Sequence, residues 1–215
     1  MSAKENILRK VRGALAATGH AFASDSVREK LSQHPRGPLP SMPWETLPRF
    51  CERCLSLSST VDQVPGSDSI AAAVARYLAT QTLAPRLVMW PEFAALDWPG
   101  AGVLAEVRAA TGNDAVGLTG VFCAIAETGT LMLLSGAATP LVNSLLPETH
   151  IAVVPASRVV RSMEDAFDLL RREQHGLPRQ VSFISGPSRT ADIELTLVLG
   201  IHGPARVHVI IDQDS

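Results

Sequence analysis

The chain has 215 residues, of which 46% are hydrophobic and 19% are charged, a composition typical of a folded globular protein and not of a disordered one. The formal net charge is −2, so the sequence offers no overall basic surface for nucleic acid. No apolar run reaches the ~18 residues needed to cross a bilayer, and the N-terminus lacks the apolar core of a signal peptide. We therefore expect a soluble, cytoplasmic protein without a transmembrane segment.

The first 50 residues are predicted to form a helix followed by an extended arm. From residue 2 to about residue 17, apolar residues recur at helical spacing, namely Ile7, Leu8, Val11 and Leu15. The stretch up to Pro48 is rich in proline, serine and charge, which is typical of an arm with little regular structure. We expect Trp44 and Phe50 to anchor this arm, and we expect an α/β domain over residues 51–215.

The three cysteines do not suggest a disulfide framework. Cys51 and Cys54 have the spacing of a redox or metal motif, and Cys123 stands apart from them. A structural zinc ion or an iron–sulfur cluster normally takes four ligands, and the sequence contains no second pair of this kind. We therefore expect no bound metal, and we interpret Cys51 and Cys54 as small apolar residues at the start of a strand.

From residue 55 onward, apolar segments of strand length alternate with helical patterns. The predicted strands cover residues 55–64, 86–90, 115–119, 131–134, 150–154, 181–184 and 205–211. The predicted helices cover residues 67–82, residues 140–146, and a segment that Ser162 caps and that runs to about Glu173. This alternation is typical of βαβ units, so it predicts an α/β fold with a mostly parallel open sheet.

The segment after the strand at 181–184 reads S-G-P-S-R-T-A-D-I-E, and its apolar pattern resumes at Thr190 and ends at Gly200. Acidic residues near its start, Asp192 and Glu194, and a glycine at its end are typical of a helix. Alternate residues from 191 to 199 are also apolar, as in a strand. Length and capping residues favour the helix.

A strand followed by a turn and a helix presents backbone N–H groups and the positive end of the helix dipole, which together bind anions. Arg189 would add a fixed positive charge at this turn. The sequence therefore predicts an anion site here. The alternative is that Ser188 or Thr190 only caps the helix and that Arg189 pairs with Asp192 or Glu194.

Glu127 is the only charged residue in a long apolar stretch and belongs to the motif A-E-T-G-T, residues 126–130. A carboxylate in such surroundings must be hydrogen-bonded, paired or hydrated. One interpretation is a bond to the N–H groups of Gly129 and Thr130, and the other is a carboxylate that belongs to a functional site. If this motif lies at the same end of the sheet as Arg189, an ion pair between Glu127 and Arg189 is a third possibility.

Three histidines are open to different interpretations. His202 lies between Gly200 and Gly203, so we expect it in a turn at a helix end, where it acts as a general acid or base or binds the last carbonyl groups. His150 and His208 lie in apolar strands, and we expect both to be buried with their hydrogen bonds satisfied.

Four motifs occur in order between about residue 51 and the C-terminus: A-E-T-G-T-L, L-P-x-x-H-x-x-V-V, S-F-I-S-G-P-S-R-T-A-D-I-E and L-G-x-H-G-P. In these motifs the chain resembles the lactate-utilisation (LUD) domain family. The resemblance implies a three-layer α/β/α fold similar to the ribose-phosphate isomerase and coenzyme A transferase-like folds. It also implies a part in oxidising L-lactate to pyruvate with two iron–sulfur partner proteins. The cysteine-rich segments of some relatives are missing, so we expect no cluster or other cofactor in this chain.

The resemblance further implies a set of site residues at the carboxyl ends of strands: Glu127, Thr128, Gly129, Thr130, Gly186, Ser188, Arg189, Thr190, Asp192, Glu194, His202 and Gly203. Candidate catalytic residues are Glu127, Arg189 and His202, and none has a settled role. Three functions remain open. The chain holds or couples the iron–sulfur proteins without catalysis, it binds a small carboxylate or phosphate at Arg189, or it uses Glu127 as the nucleophile of a coenzyme A transferase-like enzyme.

Overall fold

The computed structural model describes residues 3–17, 29, 32–33, 36–38, 40–174, 176–190 and 198–214. The chain divides into two units, Met1–Met42 and Pro43–Ser215. In the first unit, helix α1 spans Ala3–Ala17, as predicted. We expected the boundary after residue 50, and the division lies before it. The reason is helix α2 (Thr46–Ser56), which spans the expected boundary and buries Phe50 and Cys54 in the core of the second unit. Among the described helices, none has both the length and the apolar character needed to cross a membrane.

The second unit alternates strands and helices along the chain. Its helices are α2, α3 (Ile70–Thr80) and α4 (Met163–Glu173). Its strands are β1 Thr60–Val64, β2 Arg86–Met89, β3 Leu104–Val107, β4 Val116–Thr119, β5 Cys123–Ile125, β6 Thr130–Leu134, β7 Thr149–Pro155, β8 Val159–Val160, β9 Val181–Ile184, β10 Arg189–Thr190, β11 Val198–Leu199 and β12 Arg206–Asp212. Short 3₁₀ turns occupy Ser67–Ser69, Pro91–Phe93, Leu141–Ser144 and Ala156–Arg158.

The main sheet has six strands in the order β1-β12-β7-β4-β2-β3, and every neighbouring pair is parallel. Its central strands β4, β7 and β12 are buried along almost their whole length, as strands covered on both faces must be. This arrangement confirms the predicted α/β fold with a mostly parallel sheet. It also places the carboxyl ends of all six strands at one edge.

A second sheet, which the sequence did not predict, has four strands in the order β8-β5-β6-β9. β6 pairs antiparallel with both β5 and β9. Along β6 the side chains alternate, because Leu131 and Leu133 face the main core whereas Met132 packs towards Ala166 and Leu170 of α4. The second sheet is therefore buried between the main core and α4.

Helix α4 shows directly how local sequence determines an element. The Ser162 hydroxyl accepts a hydrogen bond from the Asp165 N–H group, and the Asp165 carboxylate accepts one from the Ser162 N–H group. This capping box satisfies N–H groups that the first turn would otherwise leave unpaired. The predicted cap at Ser162 and the predicted end near Glu173 are both confirmed.

Two of the predicted elements are wrong. The strand predicted at 55–64 begins only at Thr60, because Leu55 and Ser56 still belong to α2. The helix predicted from Thr190 to Gly200 is absent from both described ends of that segment, where β10 and β11 form an antiparallel pair instead. At these described ends the strand interpretation, which the alternate apolar residues suggested, is the correct one.

The two strand histidines are buried, but only half of the expected hydrogen bonds form. His150 Nε2 lies 2.8 Å from Thr119 Oγ1, and His208 Nδ1 lies 2.8 Å from Thr60 Oγ1. The other ring nitrogen of each is buried without a partner among the described residues. Burial lowers the pKa of His150 to about 3 and the pKa of His208 to about 4, so both rings are neutral near pH 7.

The Asp114 carboxylate accepts several hydrogen bonds, and its side chain is 8% exposed. It accepts two hydrogen bonds of 2.7 Å from the Arg108 guanidinium, and it also accepts bonds from the Thr111 N–H and hydroxyl groups. The Arg108 hydrogen bonds, with those from Thr111, hold the pKa of Asp114 well below its ordinary value.

We expect Asp114→Asn to lower the free energy of unfolding at pH 7 by ~1–3 kcal/mol. A carboxyl group whose pKa is lower in the folded state than in the unfolded state stabilises the fold. This contribution is complete at pH values above the unfolded-state pKa of ~3.9, and it is lost as the pH falls through the folded-state pKa. The difference between variant and parent should therefore shrink as urea unfolding is repeated at pH values falling below 4. Asp62→Asn, which breaks the exposed ion pair of Asp62 with Arg76, is the control and should cost less than ~1 kcal/mol. A difference that does not change with pH would contradict this account.

Candidate functional site

The two turns that carry most of the predicted site residues meet at one end of the second sheet. The loop at 126–129 joins β5 to β6, and Ser185 directly follows β9 on the other side of β6. The hydroxyl oxygen of Thr130 lies 2.7 Å from that of Thr128 and 2.7 Å from that of Ser185. These three side chains form a hydrogen-bonded row that we call the hydroxyl chain. Thr128 and Thr130 were predicted, whereas Ser185 was not.

Gly129 holds the first turn tightly against α2. Its N–H group donates to the Ile125 carbonyl over 2.9 Å, and its φ of +68° lies in the left-handed region that favours glycine. A β-carbon at this position would lie 2.7 Å from the β-carbon of Arg53. The predicted residue Gly129 therefore has a clear structural role, in which it brings the A-E-T-G-T loop and the C-terminal half of α2 into contact.

Arg189 lies beside the residues that follow α2. Its guanidinium donates to the Leu57 carbonyl oxygen over 3.0 Å and also to the Ser58 hydroxyl, while the residue as a whole is exposed. Gly186 packs on the same carbonyl, because a β-carbon there would lie 2.6 Å from Leu57 O. Since Arg189 begins β10, the predicted helix dipole at this turn is wrong, and the positive charge of Arg189 has only neutral acceptors among the described residues.

Glu127 lies half-buried at the other side of this cluster. Its N–H group donates to the Arg161 carbonyl oxygen over 3.0 Å. Within the described chain, its carboxylate forms no hydrogen bond and no ion pair. The predicted bond to the Gly129 N–H group does not form, because that group donates to Ile125, and no ion pair joins Glu127 to Arg189.

Ser188 organises the loop that leads into β12. Its N–H group donates to the Pro204 carbonyl over 2.8 Å, its carbonyl accepts from the Gly200 N–H group over 3.1 Å, and its hydroxyl accepts from the His202 N–H group over 3.3 Å. Gly203 lies beside it, since a β-carbon there would meet Ser188 Cβ at 3.6 Å. Ser188 thus stabilises this loop, and none of these bonds among the described residues caps a helix.

The other predicted residues lie at or beyond the edge of this cluster. The exposed His202 follows β11, so its predicted place at a helix end is wrong. Thr190 is half-buried in β10. Asp192 and Glu194 lie outside the described residues. The predicted set therefore comes together only in part, and it does so beside the second sheet and not at the carboxyl edge of the main sheet.

Sequence reasoning missed three residues of the cluster. Ser185 directly follows a predicted strand, and this position alone was a signal for a polar side chain at a sheet edge. No comparable signal pointed to Arg53, which lies in α2, or to Ser58, which follows α2, because this helix was not predicted. The Arg53 Nε atom is buried without a hydrogen-bond partner among the described residues.

Cys51 and Cys54 lie on one helix, α2, and not at the start of a strand as predicted. Burial raises the pKa of Cys54 to about 12, and its Sγ atom lies 3.9 Å from the Gly129 carbonyl oxygen. Burial also raises the pKa of Cys51. Near pH 7 both thiols are therefore protonated. In the part of the chain that the structure describes, no group of three or more histidine, cysteine, aspartate or glutamate side chains is placed to hold a metal ion.

The parallel main sheet, together with the turns that follow β5 and β9, defines an α/β protein with a polar cluster beside its second sheet. The LUD domain family model matches residues 91–211, more than half of the chain. The chain belongs to the LUD domain family, as its motifs predicted.

Several known proteins are similar to this chain. Lactate utilization protein C of Bacillus subtilis is 33% identical over 68% of each chain. Lactate utilization protein C 1 of Bacillus mycoides is 41% identical over 51% of this chain and 48% of its own length. An uncharacterized protein of Neisseria meningitidis is 42% identical over 43% of this chain, a match that spans 40% of that relative. In the crystal structure of a DUF162 family protein from Deinococcus radiodurans, 99% of that chain matches 80% of this one, with 25% identity and a TM-score of 0.57.

Proposed function

We propose that this chain takes part in lactate utilisation as a component of the system that oxidises L-lactate to pyruvate. Support comes from relatives that carry the name lactate utilization protein C and from the family to which the chain belongs. In this proposal two iron–sulfur partner proteins take up the electrons, and this chain holds no cluster. Its own contribution is to bind a small carboxylate, or a phosphate, at the cluster beside the second sheet.

One observation carries the binding proposal: the charge of Arg189 meets only neutral oxygen atoms of Leu57 and Ser58 in the described structure. An exposed guanidinium whose described partners are all neutral retains donors for an anion and can bind a carboxylate through two parallel hydrogen bonds. Each such charge-assisted bond contributes ~1.5–3 kcal/mol. Gly186 packs on the same Leu57 carbonyl, and the residue before it, Ser185, ends the hydroxyl chain, which can supply a further donor.

Glu127 supports a second candidate function. Its carboxylate lacks a partner in the described structure, as a nucleophile of a coenzyme A transferase-like enzyme would before substrate binds. The same carboxylate would repel an anion at Arg189 if the two were close together. The two candidates therefore differ in which residue is indispensable, Arg189 for anion binding or Glu127 for group transfer.

We expect Arg189→Ala to abolish growth on L-lactate when the variant replaces the parent protein in a host that depends on it. The melting temperature should fall by no more than about 8 °C, because the two bonds to Leu57 and Ser58 lie at an exposed position, where water replaces them and leaves a cost of about 1–2 kcal/mol. Arg172→Ala, which removes an exposed guanidinium from α4, is the control and should leave growth intact.

A much larger fall in melting temperature would show that Arg189 mainly holds the residues after α2 in place. Full growth of the Arg189→Ala variant would remove the anion site. If Glu127→Gln abolishes growth while Arg189→Ala does not, the transferase-like function replaces the proposed one.

A further inference from the structure

A cavity of about 230 Å³ lies at the carboxyl edge of the main sheet, away from the cluster described above. Five neighbouring strands contribute to it at or just after their carboxyl ends: β1, β12, β7, β4 and β2. Its polar lining includes Glu92, Asp212 and Ser67, and its apolar walls include Phe93, Val121 and Val153. None of these residues was singled out from the sequence.

The strand order makes this edge a place where ligands bind. β2 pairs with β3 on one side and with β4 on the other, so after β3 the chain crosses back over β2 and continues through β4 and β7. Open α/β sheets bind ligands at the point where the strand order reverses. Glu92 follows β2 and Gly120 follows β4, so both lie at this point.

The Glu92 carboxylate lies close to Gly120 at the edge of the cavity. A β-carbon on Gly120 would lie 2.1 Å from Glu92 Oε1, so only glycine permits this approach. Glu92 is exposed as a residue, and partial burial of its carboxylate raises its pKa, an effect that the nearby Gly120 N–H group opposes. One acidic group therefore lies at the β2 end of the cavity.

Asp212 is fixed at the β12 end. It is the last residue of β12 and is 4% exposed. Among the described residues, only the Asp214 N–H group hydrogen-bonds its side chain, over 3.3 Å to Oδ1. No described residue forms an ion pair with Asp212 or with Glu92, and the lining contains no lysine, arginine or histidine. Both carboxylates therefore retain acceptor capacity and negative charge for a cation that enters the cavity.

We propose that this cavity is a binding site for a small organic cation, in which an ammonium group is carried on an apolar body. The carboxylates supply acceptors and negative charge, and the walls suit aliphatic or aromatic carbon, with Phe93 as an aromatic surface for a cation. The volume is below the ~300–1,000 Å³ of sites for drug-sized ligands, so the ligand is a small amine. The proposal does not depend on lactate utilisation or on Arg189.

The test uses the full chain and measures binding by ligand-observed NMR and calorimetry at low salt. The probes are 1,4-diaminobutane and tyramine, each compared with the alcohol in which hydroxyl groups replace the amino groups. We expect the amines to bind and the alcohols to bind at least about tenfold more weakly. Asp212→Asn and Glu92→Gln should each weaken amine binding about tenfold or more.

Two further variants keep the test independent of folding defects. Val121→Phe fills the cavity from a surface loop while it leaves both carboxylates in place, and it should abolish amine binding. Asp68→Asn removes an equal charge from an exposed position beside Ser67 and should leave binding unchanged. Equal binding of amines and alcohols would overturn the assignment of a cation, and the absence of binding by either amine would overturn the site. Arg189→Ala should not affect amine binding, so failure of this proposal and failure of the anion site are distinguishable.

Discussion

Gly129→Ala is expected to lower the free energy of unfolding by about 2–5 kcal/mol. A left-handed backbone costs a residue with a β-carbon roughly 1–2 kcal/mol. The new β-carbon would also lie 2.7 Å from Arg53 Cβ, 2.9 Å from Arg53 C and 3.0 Å from Cys54 N. These atoms belong to a helix and not to the tip of a flexible side chain, so overpacking adds ~1–3 kcal/mol. Urea unfolding, monitored by circular dichroism, measures the change.

Gly102→Ala is a matched control for this substitution. Gly102 has a φ of +71°, almost the same as Gly129, but no atom lies within 4 Å of the position of its β-carbon. The control variant should therefore show only the conformational cost of roughly 1–2 kcal/mol. If both variants lose the same stability, the loop at 126–129 does not press against α2, and the position of the hydroxyl chain relative to that helix would have to be revised.

The purified chain is expected to show no reduction of an electron-accepting dye with L-lactate as the donor. In the proposed system the electrons released by lactate oxidation pass to the iron–sulfur partners, and the cysteines of this chain are free thiols, which are already reduced and cannot receive them. When the two proposed iron–sulfur partners are added, dye reduction should appear, and it should require all three proteins. The measurement is the rate of dye reduction in every combination of the three.

Two results would contradict this prediction. Turnover by the isolated chain would make it a complete enzyme. Full activity of the two iron–sulfur proteins without it would remove it from the reaction. In the reconstituted system the Arg172→Ala protein is again the control, because it should support the same rate as the parent while Arg189→Ala should not.

The fold class was predictable because the signals behind it are local. Buried strands such as β4 and β7 are short apolar runs, and the capping pair of Ser162 and Asp165 marks the start of α4. β3 carried no comparable signal, because it is a four-residue edge strand with Leu104 and Val107 exposed. α2 was missed because Pro48 suggested an arm, although proline is tolerated in the first turn of a helix.

The cluster was predictable only in part, because its residues meet through tertiary contacts. The sequence indicated that the turns after β5 and β9 are polar, and the common neighbour β6 brings Thr130 and Ser185 together. Nothing in the sequence indicated that Arg189 would bind the residues after α2. The acidic residues near Thr190 favoured a helix, but both described ends of that segment are strands. Capping residues reflect only the local preference of the chain, whereas strand pairing depends on partners that are distant in sequence.

The hydroxyl chain has a direction, and this has a consequence for whatever binds at its ends. The Thr130 hydroxyl is buried between two oxygen atoms and carries a single hydrogen, so it must donate to one neighbour while it can accept from the other. If Thr130 donates to Ser185, the hydrogen of Ser185 is free to point outward; if it donates to Thr128, the free hydrogen is at the opposite end. A hydrogen-bond acceptor at one end of the hydroxyl chain therefore selects the direction in which all three hydroxyl groups donate. It disfavours a second acceptor at the other end, because no hydrogen is then free there.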